Sequence, residues 1–324
     1  MKTTTSGMKV AVIGATGAVG TQMLAILTQR KFPIRELVAF ASQRSVGKTV
    51  MCQERSWPCR VLGPGCFEGV EIAFFDAADA ISKEWASQAA IAGAWVVDNS
   101  AVFRMESDLP LVVPEINGKL LDGLKAGVRN GKIPSRHRLI SGPNCSTVQL
   151  VMALKPISDT WGLKRVVVSS YQSTSGAGAA AMEELKTQTQ AIIGGRPAVP
   201  QAFSHRIAFN CIPHIGGFKD DGYTSEEQKI IQETRKILSL PQLRITATAV
   251  RVPTLSGHGE SVNIECERPF QLEEIRAALA THAGIRVIDE PARNHYPLNE
   301  VHADDTVEQA AGNDPVYVGR IRRD

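Results

Sequence analysis

The chain has 324 residues, 43% hydrophobic and 21% charged, a balance that predicts packed globular structure and two domains more readily than one. Its net charge of +3 is too mild to imply a nucleic-acid partner, and no apolar run reaches the ~18 residues of a membrane span. The N-terminus has no apolar signal core, and six scattered cysteines fit no disulfide framework, so reduced thiols in a cytoplasmic setting are expected.

Residues 1–7 read as a polar extension, with Met8 as a second candidate start. KVAVIG (9–14) is a short apolar run of the kind that forms a buried parallel strand. Gly14, Gly17 and Gly20 follow, and then a helical pattern to Arg30. Glycines there let the backbone turn tightly and approach a pyrophosphate, while the helix start offers free N–H groups to the anion. The predicted cradle is Gly14, Thr16, Gly17, Ala18, Val19 and Gly20. The spacing is GxxGxxG rather than GxGxxG, and close strand–helix packing alone could also require such glycines. The next strand, ELVAFAS (36–42), does not end in the acid that would hold a ribose 2′-OH. It runs into Ser42, Arg44 and Ser45. Hydroxyls and a guanidinium suit a 2′-phosphate, which predicts NADP over NAD.

Cys52, Cys59 and Cys66 are separated by six intervening residues each time, without a CxxC pair or a nearby histidine. Structural thiols are expected there, and no metal site. VEIAFFDAA (70–78) and the start of GAWVVDNSAVFR (93–104) read as strands flanking a helix at 81–92. Alternating strands and helices predict a Rossmann-like, doubly wound parallel sheet. Arg104 follows a strand end, where such sheets bind ligands, so it is either an anion clamp or a surface charge. The basic run KIPSRHR (132–138) reads as a solvated loop.

LISGPNCSTVQLVMALKPI (139–157) reads as strand, turn and helix, with Cys145 at the helix start. That position favours a thiolate. A lone cysteine before an apolar helix is equally consistent with a buried core residue. Gln172 falls at a strand end, before a small-residue turn into a helix. The segment 246–267 reads as strand, loop, strand, with Arg251 and His258 on or beside the loop. A thiol nucleophile needs a base, usually histidine. On composition alone His137, His205, His214, His282, His295 and His302 compete with His258.

The ordered set GATGAVG (14–20), ASQRSVGK (41–48), VVDNSAVFR (96–104), LVVPEIN (111–117), GPNCST (142–147), YQSTSGAG (171–178), EEQK (226–229), RVPTLSGH (251–258) and VGRIRRD (318–324) resembles the aspartate-β-semialdehyde dehydrogenase family. GPNCST together with RVPTLSGH is its specific part. The resemblance implies an NADP-binding domain over 8–144 and an α+β catalytic and dimerisation domain over 145–324. It implies Cys145 as nucleophile, His258 as acid/base and Gln172 as the residue orienting the intermediate. Arg104, Asn144 and Lys229 would hold phosphate, Arg251 the substrate carboxylate and Glu226 its amino group. Ser175 and Gly176 would touch the cofactor. The implied partners are a small-molecule substrate, inorganic phosphate and further copies of the chain, as a homodimer or homotetramer.

The resemblance leaves alternatives. N-acetyl-γ-glutamyl-phosphate reductase uses the same Cys/His chemistry, but an acetylated nitrogen would give Glu226 no cation. Glyceraldehyde-3-phosphate dehydrogenase carries a different cysteine context. A catalytically silent NADP-binding paralogue is the reading from another class. FFDAADA (74–80) carries acids where the family has small residues, and 129–140 is longer and more basic than the family's link. The family's usual continuation past GRIR has no match at the end of the chain. The resemblance thus carries the expectation of weak NADP binding and slow turnover for the chain as given.

Overall fold

The structure is a computed structural model that describes residues 7–131, 133–301 and 308–324. The first six residues of the polar extension, Lys132 and His302 lie outside the described residues. The chain divides into two compact units, Met1–Pro143 and Asn144–Asp324.

The first unit begins with β1 (Met8–Ile13), α1 (Ala18–Gln29) and β2 (Ile34–Phe40). It continues with β3 (Thr49–Cys52), β4 (Arg55–Arg60), β5 (Ile72–Phe75), α2 (Asp79–Ile91) and β6 (Trp95–Asp98). The short helix α3 (Pro114–Asn117), α4 (Leu120–Arg129) and β7 (Leu139–Ser141) complete it. The strands form one sheet in the order β3-β4-β2-β1-β5-β6-β7. All pairings are parallel except β3 with β4.

The strand period explains why both faces are covered. Side chains alternate along β1, so Val10 and Val12 enter a cluster with Leu24 and Leu27 of α1. Ala11 and Ile13 enter the opposite cluster with Phe75, Ala86 and Ala89. One apolar strand thus feeds two cores, which is why it reads as a continuous apolar run. The sheet order reverses at β1, with β2 on one side and β5 on the other. Ligands of such sheets bind at this switch point, beyond the carboxyl ends of the strands.

Two local features add detail to the sequence reading. The parallel sheet carries an antiparallel edge hairpin, β3–β4, turned by Gln53 and Glu54 with φ of 51° and 61°. A two-residue turn with both φ positive usually announces itself by Asn-Gly or Asp-Gly. Here Gln53 donates from its N–H to Thr28 Oγ1 and from its Nε2 to the Phe32 carbonyl oxygen, a long-range support with no local signature. The run read as a solvated loop includes a 3-10 turn, Ser135–Arg138. Arg136 pairs with Glu106 at 2.5 Å, and the Arg138 guanidinium sits 5.4 Å from the centre of the Trp95 ring.

The second unit comprises α5 (Cys145–Trp161), β8 (Leu163–Gln172), α6 (Ala179–Ile193) and α7 (Ser225–Ile237). It continues with β9 (Arg244–Arg251), β10 (His258–Cys266), α8 (Leu272–Thr281), β11 (Ile285–Val287) and β12 (Val316–Val318). Its main sheet has the order β10-β8-β9, with β8 antiparallel to β10 and parallel to β9. Leu150, Leu154, Ile157 and Trp161 of α5 meet Val166 and Val168 of β8 and Ile230 of α7 in its core. The spacing 150, 154, 157, 161 is one helical stripe. No described helix is long and apolar enough to cross a membrane.

Gly14 tests the construction of the first turn. Its φ is +85°, and an added Cβ would lie 2.0 Å from the Asp76 carbonyl oxygen. Gly14→Ala is expected to cost at least about 2 kcal/mol, from backbone strain plus the clash. Thermal unfolding of the two proteins measures this, and an unchanged melting temperature would contradict it.

Candidate active site

Three sequence-predicted residues form one row across the second unit's sheet. His258 of β10 pairs with Gln172 of β8, and Gln172 pairs with Arg251 of β9. Directly paired residues project on the same face. Register alone therefore brings together side chains separated by up to 86 positions in the chain.

Cys145 is the first residue of α5, and its exposed Sγ lies 3.3 Å from His258 Nε2. The backbone N–H of Ser173 donates to His258 Nδ1 at 3.1 Å. With Nδ1 accepting, the neutral ring carries its proton on Nε2, facing the sulfur. Burial, and then the charge of Arg251, hold the imidazole below its ordinary value, so it is neutral near pH 7. Arg251 is buried and donates to the Ser173 carbonyl oxygen at 2.6 Å. One residue, Ser173, thus links Arg251 to His258. Gly176 stands where a Cβ would come within 3.0 Å of Arg251 Nη1 and 3.5 Å of His258 Nε2. A bare backbone at this turn leaves room beside both groups.

Asn144 caps α5. Its Oδ1 accepts from the N–H groups of Ser146 at 2.9 Å and Thr147 at 3.4 Å. Its Nδ2 donates to Glu226 Oε1 at 2.8 Å, and its own N–H donates to Glu233 Oε2 at 2.6 Å. Gln172 Nε2 donates to Ser146 Oγ and to Glu226 Oε1, the latter at 3.2 Å. Its Oε1 is buried without a hydrogen-bond partner among the described residues. Lys229 Nζ lies 3.3 Å from Glu226 Oε2. Burial alone would raise the Glu226 carboxyl, but Lys229 and the amides of Asn144 and Gln172 prevail and hold it below the usual range. A capping box between Thr224 and Glu227 starts α7 and places Glu226 and Lys229 in its first two turns. The structure therefore brings together Cys145, His258, Gln172, Arg251, Asn144, Glu226 and Lys229.

The remaining predicted residues fall in two places. Ser175 and Gly176 lie in the 3-10 turn after β8. Gly14, Thr16, Gly17, Ala18, Val19 and Gly20 form the turn from β1 into α1, in the first unit. Gly20 is as constrained as Gly14, since a Cβ there would lie 2.2 Å from the Gly14 carbonyl oxygen. Ser42, Arg44 and Ser45 lie in or beside the 3-10 turn after β2, and Thr16 Oγ1 lies 3.3 Å from Ser45 Oγ. The two turns at the strand ends are thus in contact. Arg44 is exposed. Arg104, also in the first unit, is buried and donates to the Asn99 carbonyl oxygen at 2.6 Å.

Against this geometry, comparison with known proteins is specific. The model for the semialdehyde dehydrogenase NAD-binding domain matches residues 9–124, and that for the semialdehyde dehydrogenase dimerisation domain matches 154–324. Aspartate-semialdehyde dehydrogenase of Aquifex aeolicus is 45% identical over 98% of this chain and 89% of its own length. The chain belongs to the aspartate-semialdehyde dehydrogenase family. Among solved structures, aspartate semialdehyde dehydrogenase II of Vibrio cholerae, complexed with ASA, matches with a TM-score of 0.88. It is 41% identical, with 98% of this chain and 89% of that chain covered. The Candida albicans family member with NADP matches with a TM-score of 0.68 at 25% identity, over 88% of this chain and 83% of that chain.

Sequence reasoning missed several residues around this family's predicted site. Glu233 lies seven residues after Glu226, two helical turns along the same face. Glu260 lies two after His258, on the same face of β10, and accepts from Gln149 Nε2 at 2.9 Å. Periodicity applied outward from Glu226 and His258 would have found both.

Burial pushes the Glu260 carboxyl from an ordinary 4.5 up to about 8. The fold thus favours the neutral acid. The sign follows: Glu260 stabilises the fold fully below its unfolded value and loses that contribution as pH rises through 8. Glu260→Gln mimics the neutral acid. The wild-type melting temperature is expected to fall between about pH 5 and about pH 8.5 more than that of Glu260→Gln. Parallel pH series of thermal melts check this; equal slopes would contradict it.

Proposed function

We propose that this chain catalyses the reversible, NADP-dependent reductive dephosphorylation of L-aspartyl 4-phosphate to L-aspartate 4-semialdehyde. The activity would serve lysine, threonine and methionine biosynthesis in the cytoplasm. The single observation that carries the reading is Cys145 Sγ, 3.3 Å from His258 Nε2 at a helix start, beside Gln172 and Arg251.

The chemistry follows from the residues. Cys145 Sγ, in the thiolate form that the helix start favours, attacks the acyl carbon of the substrate. The carbon–oxygen bond to phosphate breaks, and phosphate leaves with the electron pair, giving a thioester on Cys145. NADPH, when bound, supplies the hydride. The carbon–sulfur bond then breaks, releasing the aldehyde and returning the electron pair to Sγ. A covalent thioester replaces one difficult step by two easier ones. His258 holds a proton at Nε2 for the substrate oxygen as it gains charge. Gln172 Oε1, a buried acceptor without a hydrogen-bond partner among the described residues, is the group that orients the tetrahedral species. Arg251 pairs with the substrate carboxylate, and Glu226 with its ammonium. Lys229, Asn144 and Arg104 are assigned to phosphate. An anionic Glu226 favours a substrate with a free amino group.

Several features support NADP as the cofactor. The turn after β1 has no side chain at Gly14, where a Cβ would meet backbone. Thr16 and Ser45 join that turn to the one after β2, and Arg44 is exposed there for a 2′-phosphate. Ser175 and Gly176 are assigned to the cofactor as well. The match to a dimerisation domain supports a homodimer, or a pair of dimers, as the working assembly.

Cys145→Ala is expected to abolish phosphate-dependent NADP reduction with aspartate semialdehyde, while leaving the fold intact. In the parent protein Cys145 should outpace Cys211 and Cys266 in labelling by a thiol reagent near neutral pH. His258→Asn should lower turnover on the order of 10²–10⁴-fold with NADP affinity nearly unchanged. Full turnover in either variant would end the covalent reading. For the cofactor, Arg44→Ala should weaken NADP about 10–100-fold and NAD far less, the loss of a charge-assisted phosphate contact. Equal losses, measured by titration of each nucleotide, would remove Arg44 from that role.

A further inference from the structure

Cys145 owes its place to the residue before it. Asn144 makes three contacts through its side chain and its N–H: its Oδ1 caps α5, its Nδ2 donates to Glu226 Oε1 at 2.8 Å, and its N–H donates to Glu233 Oε2 at 2.6 Å. The first two contacts involve the Asn144 side chain, which can rotate about its own bonds. The third grips the Asn144 backbone N–H, while the α5 residue Val148 holds the Asn144 carbonyl from the helix side at 3.1 Å.

Glu233 is 1% exposed, and a buried carboxyl is costly to maintain without a compensating contact. A hydrogen bond from a backbone N–H at a helix start supplies one, because that end of the helix favours negative charge. Glu233 follows Glu226 by seven residues, so α7 presents two carboxyls along one face to the same residue. Ile230 lies between them on that face, fully buried in the cluster that includes Leu150 and Leu154 of α5. The packing that fixes α7 against α5 therefore also fixes the position of the Glu233 carboxyl.

We infer that Glu233 is a positioning residue for the nucleophile: through the Asn144 backbone N–H it holds Cys145 Sγ within reach of His258 Nε2. This rests on the reading of Cys145 as nucleophile. The Asn144 N–H lies one residue before Cys145, so the Glu233 carboxyl acts on the nucleophile through the backbone. The consequence is specific. Loss of the acceptor should slow the steps that need Sγ in place, and substrate binding through Arg251 and Glu226 should persist. Retaining an acceptor of the same length should restore function.

The test compares Glu233→Ala with Glu233→Gln, both assayed well below their measured melting temperatures. For Glu233→Ala, kcat should fall about 10–100-fold with KM within about two-fold, as for a reacting group displaced by a fraction of an ångström. Alkylation of Cys145 by iodoacetamide, followed by peptide mass, should slow in the same variant. Glu233→Gln keeps an oxygen acceptor and should recover most of both rates. If Glu233→Ala does not fold, Glu233→Asp serves in its place, since it retracts the carboxyl by about 1.5 Å. Wild-type kcat and alkylation in folded Glu233→Ala or Glu233→Asp would overturn the inference. Equal losses in the Gln and Ala variants would do the same. Cys145→Ala is the separate control: turnover there would end the nucleophile reading, while the alkylation data on Glu233 variants need no turnover.

Discussion

The register of one three-stranded sheet is the constraint on which the candidate site depends. His258, Gln172 and Arg251 occupy consecutive places in a single cross-strand row. A slip of one residue in any strand would turn its side chain to the opposite face. Apolar residues of the same strands, among them Val166, Val168, Ile245 and Ala247, are committed to the core. Slippage would expose them, so the energy that fixes the fold also fixes the row. The three polar groups need no separate device to find one another.

The nucleophile's side of the site is built differently. Cys145 lies at a helix start, and helix starts are set by caps rather than by long ladders. Asn144 is that cap, and two carboxyls of α7 hold it. Glu226 remains ionised although buried because Lys229 and two side-chain amides surround it. His258 is pushed the other way, toward neutrality, by burial and by Arg251. Opposed shifts within one cluster separate the roles: a fixed anion, a fixed cation and a neutral ring beside the Cys145 sulfur.

Much of this was legible in the sequence, and the limits have physical causes. The doubly wound sheet was readable because β1 places Val10 and Val12 in one core and Ala11 and Ile13 in the other. The glycine turn was readable because positive φ at Gly14 tolerates few alternatives. The hairpin at Gln53 and Glu54 was not, since its turn is held by Thr28 and Phe32 rather than by its own residues. Composition left His258 as one of seven histidines and the family resemblance singled it out; its place 3.3 Å from Cys145 comes from strand register, which composition does not show. Helical periodicity from Glu226 could point to Glu233 but not to its partner, a backbone N–H 89 positions away.

The two glycines of the first turn show why motif and packing readings cannot be separated by sequence. A Cβ at Gly14 would strike the Asp76 carbonyl, and one at Gly20 would strike the Gly14 carbonyl. Both are therefore required for strand and helix to approach, whether or not a nucleotide binds. The same close approach brings the helix start and its N–H groups to the carboxyl end of β1, where an anion would be held. Packing and binding are thus one demand on these positions. The cofactor-specific information lies elsewhere, in the turn after β2, where Ser45 meets Thr16 and Arg44 is exposed. Nothing in the packing of the strands requires a guanidinium at that point, so Arg44 is the position where a choice between dinucleotides can be read apart from the demands of the fold.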